Sequence, residues 1–130
     1  MRVIRKEDVA DPFCAPLGEQ IYEMIGRPKE LGGTTNHSLV HVMIPPDKCS
    51  PSHFHKASEE TYYIVGGEAQ MTIDGASFRA VPSMAILIMP GEIHQIVNDS
   101  SSDLHFLTVS APAWVPDDTY ETEMPTANHV

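Results

Sequence analysis

Two short segments hold residues with the donor types of a metal site. The first runs Ser52-His53-Phe54-His55-Lys56-Ala57-Ser58-Glu59-Glu60-Thr61, and the second Met89-Pro90-Gly91-Glu92-Ile93-His94. Side chains alternate along extended chain, so His53 and His55 fall on one face and can share a bound atom. Glu60 opens a β-like run after the short connection Lys56–Glu59, and a hairpin there returns it beside the two imidazoles. His94 supplies a third imidazole at the start of another strand. Three imidazoles and a carboxylate suit a first-row divalent ion such as Fe, Mn, Ni, Zn or Cu rather than Ca or Mg. An isolated ionised Glu inside a barrel costs tens of kcal/mol by idealised Born estimates, or takes up a proton, and a dication removes that conflict. Glu59 is the competing carboxylate. Glu60 is preferred because it shares parity with Tyr62 and Ile64, which leaves Glu59 facing solvent.

The elements that position these residues read as strands. Short β-like runs at Gln20–Ile25, Ser38–Ile44, Thr61–Val65, Ala69–Ile73, Ser77–Val81, Ala85–Met89, Gln95–Val97 and Leu104–Val109 alternate with turn signals. The turns include Pro45-Pro46-Asp47, Gly66-Gly67, Pro82-Ser83 and Pro90-Gly91. Asp74-Gly75 predicts a two-residue type I′ hairpin, since both residues tolerate positive φ. Gln20–Ile25 also fits a helical turn through Ile21, Met24 and Ile25, but reads as a strand among strands. Many short strands with no long helical periodicity predict an all-β sandwich or barrel.

Composition narrows the function classes. The chain has 130 residues, enough for one domain. Its 18 acidic and 8 basic residues give a net charge of −10. Phosphate binding needs clustered Lys and Arg, so nucleic acid and anionic lipid are poor partners. No apolar run is long enough for a membrane helix, and the N-terminus turns acidic where a leader would turn apolar. Cys14 and Cys49 form no C-x-x-C, which favours two free thiols and a cytoplasmic location. Residues 1–18 read as a surface arm, 19–114 as the barrel, and 115–130 as a solvated acidic tail.

Over residues 38–110 the sequence resembles the cupin superfamily, whose barrels are double-stranded β-helices, or jelly rolls. The first cupin motif, commonly G-x5-H-x-H-x3–4-E-x6-G, matches at His53, His55, Glu60 and Gly67, with Asp47 in place of the leading Gly. The second, commonly G-x5-P-x-G-x2-H-x3-N, matches at Gly91, His94 and Asn98, with Ser83 and Met89 in place of the first Gly and Pro. The departures fall at turns and spare the donors. The resemblance implies that His53, His55, Glu60 and His94 ligate a divalent transition metal (Fe, Mn, Ni or Zn), with open positions for water or substrate. It also implies a metal-dependent enzyme acting on a small molecule, of dioxygenase, isomerase, decarboxylase or lyase type. The alternative is a non-catalytic ligand-binding or sensing cupin. A phosphate-bearing substrate lacks a cationic cluster, since Lys56 and Arg79 are the only nearby cations.

Tyr62 and His105 are the candidates for proton transfer, Tyr62 through its phenol and His105 if its strand turns it inward. For His105, as for His41, the more economical reading is an outward, hydrogen-bonded imidazole. Met43, Met71, Met84 and Met89 read as core fillers, and Trp114 as a cover for a barrel end or an interface. The resemblance implies a homodimer, and the N-terminal arm offers a strand to a partner's sheet edge, or else folds over its own barrel.

Overall fold

The computed structural model of the chain describes residues 1–126. Eleven strands form two antiparallel sheets: β1 (Phe13–Cys14), β2 (Gln20–Ile25), β3 (Ser38–Ile44), β4 (His53–Phe54), β5 (Glu59–Gly66), β6 (Ala69–Ile73), β7 (Ala76–Ala80), β8 (Ala85–Ile88), β9 (His94–Val97), β10 (Leu104–Ala111) and β11 (Tyr120–Glu121). One sheet has the order β1-β2-β3-β10-β5-β8 and the other β11-β4-β9-β6-β7. This is the double-stranded β-helix expected from the sequence.

Alternation explains which residues face in. Glu60, Tyr62 and Ile64 on β5 are buried, while Tyr63 and Val65 between and beyond them are exposed. Leu104, Phe106, Thr108 and Ser110 do the same on β10. The inner faces of both sheets bury Val42, Ile44, Ile64, Met71, Ile88, Ile96 and Phe106 in one cluster. Each fully buried aliphatic or aromatic side chain contributes about 1.5–3 kcal/mol. Polar donors placed between these sheets are therefore held by a close-packed frame.

Turn chemistry fixes the register. Asp74 (φ 49°) and Gly75 (φ 85°) form the expected hairpin between Ile73 and Ala76. Gly67 has φ +77°, and a Cβ there would lie 2.5 Å from the Asp103 carbonyl oxygen. Asp47 and Ser83, which stand where the cupin motifs carry glycine, have φ 65° and 72°. The backbone keeps the left-handed conformation that the motif glycines accommodate, even though this chain places side chains there.

Gln20–Ile25 is a strand, with a register shift around Met24 that blurs its alternation. Its helix-like spacing was a consequence of that bulge. Both ends are tied to the barrel in part. Within residues 1–18, Phe13 and Cys14 pair with β2 of the same barrel, so the arm extends its own sheet. Within residues 115–126, Asp117, Glu121 and Glu123 are exposed, as a solvated acidic tail requires, but part of the segment returns to the barrel. Asp118 is buried, and β11 pairs with β4. The last expected tail residues, 127–130, lie outside the described residues. Of the four methionines read as core, Met71 is fully buried and Met84 packs against the core. Met89 is exposed and Met43 alternates onto the outer face of β3.

Candidate metal centre

The four donors reach one point from both sheets. His53 on β4 lies opposite His94 on β9 in register, and their ring centroids are 4.2 Å apart. Glu60 comes from β5 in the facing sheet. His55 follows β4 on the face shared with His53. All four residues are buried, and one ligand atom from each lies within 4.8 Å of the other three. Glu59 is exposed, as the parity argument required.

Hydrogen bonding prepares these atoms for a cation. His53 Nδ1 lies 2.8 Å from the Pro51 carbonyl, His55 Nδ1 2.8 Å from that of Asp118, and His94 Nδ1 2.9 Å from that of Glu92. A carbonyl only accepts, so each Nδ1 donates and each Nε2 is left with its lone pair. On Glu60, Oε2 accepts a hydrogen bond from Ser110 Oγ at 3.2 Å. Its Oε1 lies 3.5 Å from His55 Nε2 and 3.2 Å from His94 Nε2, and these three buried atoms have no hydrogen-bond partner. Lone pairs facing one another at such distances require a proton or a metal cation between them. The residues therefore fit a divalent metal, and His53, His55, Glu60 and His94 are positioned to bind one.

Electrostatics agree with this reading. Burial would push the Glu60 carboxyl up, but a proton held against it by His55 or His94 would override this and keep the group well below the usual carboxylate range. Burial and the neighbouring His94 press His53 down to about 4, so it stays neutral at physiological pH. His55 is also penalised by burial, yet Glu60 raises it on balance.

A cavity of about 540 Å³ opens over the donors and exposes His53, His55 and Glu60 to it. Its wall includes Tyr62, whose phenol is raised well above its ordinary value by burial, then by Glu60 and Glu19. Tyr62 thus reaches the site as a protonated phenol. His105 does not. It lies on the outer face of β10, because the inward residues of that strand are Leu104, Phe106, Thr108 and Ser110. There it shares a 3.1 Å hydrogen bond with His41, the pair remote from the cavity wall. Trp114 lines the cavity with its indole N–H donated to Thr119 Oγ1 at 2.9 Å. Phe54 faces away from the donors and stacks on Tyr120.

Three contributors escaped the sequence reading. Ser110 orients Glu60, and its position is visible only once β10 is registered against β5. Asp118 accepts the backbone N–H groups of Lys56, Ala57 and Ser58, fixing the loop between His55 and Glu60. Glu19 lines the cavity together with Ile21 and Glu23. The alternation Glu19-Ile21-Glu23 was the available signal, weakened by the bulge that follows it.

A buried three-histidine, one-glutamate cluster inside a double-stranded β-helix defines a class of barrel proteins. Residues 40–110 match the Cupin domain family, and the chain belongs to it. An uncharacterized protein of Methanocaldococcus jannaschii is 32% identical over 120 residues, covering 92% of this chain and 94% of that one. A conserved protein of Klebsiella pneumoniae with a double-stranded β-helix domain superposes with a TM-score of 0.75 at 18% identity, covering 95% of this chain and 98% of that one. A polyketide cyclase from Streptomyces resistomycificus gives a TM-score of 0.74 at 24% identity over 96% and 89% of the two chains. These structural likenesses are of fold.

Proposed function

We propose that this cupin is a metal-dependent enzyme acting on a small organic molecule, with Fe, Mn, Ni or Zn held by His53, His55, Glu60 and His94. The observation that carries the reading is the convergence of buried, unpartnered donor atoms at the floor of a cavity of about 540 Å³. When bound, the cation supplies Lewis acidity, stabilising negative charge on a coordinated oxygen and acidifying its proton. The remaining steps belong to the chain. Ser110 holds Glu60 in its ligating orientation. Apolar side chains such as Val42 and Phe106 exclude water from the wall of the cavity. Tyr62 holds a proton beside the donors and delivers a hydrogen bond to substrate oxygen. The chemistry falls among dioxygenation, isomerisation, decarboxylation and elimination, all of which use a coordinated oxygen.

Elemental analysis of protein purified without chelator or nickel affinity is the test. A stoichiometric transition metal, lost together with turnover in His53→Ala, is the expected result. A folded protein that refuses Fe, Mn, Ni and Zn refutes the reading. Saturable ligand binding without turnover in a substrate screen points instead to the sensing role.

A cytoplasmic homodimer completes the proposal. Cys14 and Cys49 are both free thiols, in keeping with a reducing compartment. Tyr63, Val65, Leu87 and Val109 are exposed on the outside of one sheet, an apolar face suited to a second copy. Among the described residues no helix is long and apolar enough to cross a membrane. Light scattering on the eluted protein distinguishes monomer from dimer.

A further inference from the structure

Resting on the metal-centre reading for the floor of the cavity, we propose that its occupant is mainly apolar and either uncharged or cationic, and that Glu19 selects against anions. The cavity points to a ligand at its floor, independently of Glu19, Glu23 and Glu121. Glu60 Oε1 and His55 Nε2 are unpartnered, belong to residues only 6% and 5% exposed, and both residues line it. Above them the wall is apolar, with Ile21, Val40, Val42 and Phe106 prominent.

The charge of the lining is one-sided. Glu19, Glu23 and Glu121 join Glu60, and among the described residues no Lys or Arg lines the cavity. Lys48, five residues before His53, is exposed with its side chain against Gly18, and Lys56 and Arg79 are engaged elsewhere. The Lys56 ammonium sits 4.4 Å from the centroid of the Tyr120 ring. Arg79 bonds Asp99 at 2.7 Å and Glu68 at 2.9 Å on the surface. Glu60 offsets part of a dication's charge, and the three other carboxylates outweigh what remains. A phosphate monoester or a dicarboxylate would meet like charges in a partly desolvated space, with no guanidinium or ammonium to receive it.

Glu19 is the carboxyl on which this selection turns. It precedes β2 on the cavity face continued by Ile21 and Glu23, deeper than the exposed Glu121. Burial, then the charge of Glu60, pushes its carboxyl up to about 7. Near neutral pH it therefore offers a carboxylate to a cation or an acid proton to an uncharged oxygen. Neither form welcomes an anion as an ammonium would.

Three probes of similar shape separate these cases: benzyltrimethylammonium, neopentylbenzene and phenylmethanesulfonate, titrated into the full chain after incubation with transition metal and removal of the excess. The ammonium and the hydrocarbon are expected to bind at least about tenfold more tightly than the sulfonate. In Glu19→Gln the ammonium-to-sulfonate preference should fall by about tenfold. A sulfonate that binds as tightly as the ammonium, a preference unchanged in Glu19→Gln, or no saturable binding of any probe overturns the proposal. The wild-type ranking stands whether or not the variant folds. Metal content measured on the same samples keeps the two readings apart. A protein that ranks the probes in this order yet holds no metal loses the metal reading and keeps the charge selection. A metal-loaded protein without the ranking loses the selection alone.

Discussion

At the scale of single residues, the site depends on groups that hold the donors as much as on the donors themselves. Ser110 Oγ gives Glu60 its only side-chain hydrogen bond among the described residues and leaves Oε1 free. Ser110→Ala should weaken metal affinity about tenfold with the fold intact, read by competition with a chromogenic chelator. Glu19 makes a pH prediction for the metal-free protein. Its carboxyl is raised from 4.5 to about 7 by burial and then Glu60, so the folded chain keeps a proton that the unfolded chain has released. Its contribution is fully present below the unfolded value and is lost as pH rises through about 7. Urea titrations at several pH values should show Glu19→Gln lacking that decline. An identical pH slope in both proteins would contradict the burial of this group.

At the scale of elements, two connections carry the burden of placing residues. The loop from His55 to Glu60 is held by Asp118, whose carboxylate accepts from three successive backbone N–H groups. The carbonyl of the same residue accepts from His55 Nδ1. Asp118→Ala should destabilise the fold by about 1–3 kcal/mol and also lower metal affinity, a coupling visible when melting and metal titration are compared. Burial would push the Asp118 carboxyl up, but the N–H groups of Lys56, Ala57 and Ser58 lower it overall. Its stabilisation is thus present above the unfolded value and fades as pH falls through the folded one. The turn at Ser83 stores strain, because a side chain at φ 72° crowds the following carbonyl. Ser83→Gly relieves about 1–2 kcal/mol against an added chain entropy cost of about 0.5–1 kcal/mol. A modest rise in melting temperature is expected, whereas Gly67→Ala should lower it sharply through the clash with Asp103.

At the scale of the whole molecule, a cation held by the four donors would join the two sheets. His53 and His94 belong to one and Glu60 to the other, so metal at a hundred times its dissociation constant adds about 2.7 kcal/mol to the folded state. Chelation should lower the melting temperature by several degrees in the wild type and leave His53→Ala unmoved, as calorimetry with and without chelator would show. The same topology puts the cavity between the sheets, where acidic side chains from β2 and β11 approach donors from β4 and β5. Surface ion pairs such as Arg79 with Glu68 and Asp99 lie outside this arrangement and are screened by solvent.

Period-two alternation and turn residues are local properties. They made His53, His55, Glu60 and His94 legible before any coordinates, along with the Asp74-Gly75 hairpin and the outward Glu59. Parity also made Tyr62 an inward residue once Glu60 was. Local pattern could not decide the facing of His105, because polar and apolar residues occupy both faces of β10. It likewise read the segment after Trp114 as acidic and solvated, since charge alone does not reveal that Asp118 meets three unpaired N–H groups sixty or so residues away. Donor identity and spacing are thus written in the chain. The pairing of β10 with β5, the return of the tail onto β4 and the gathering of Glu19 into the cavity arise from contacts distant in sequence, and only the folded structure specifies them.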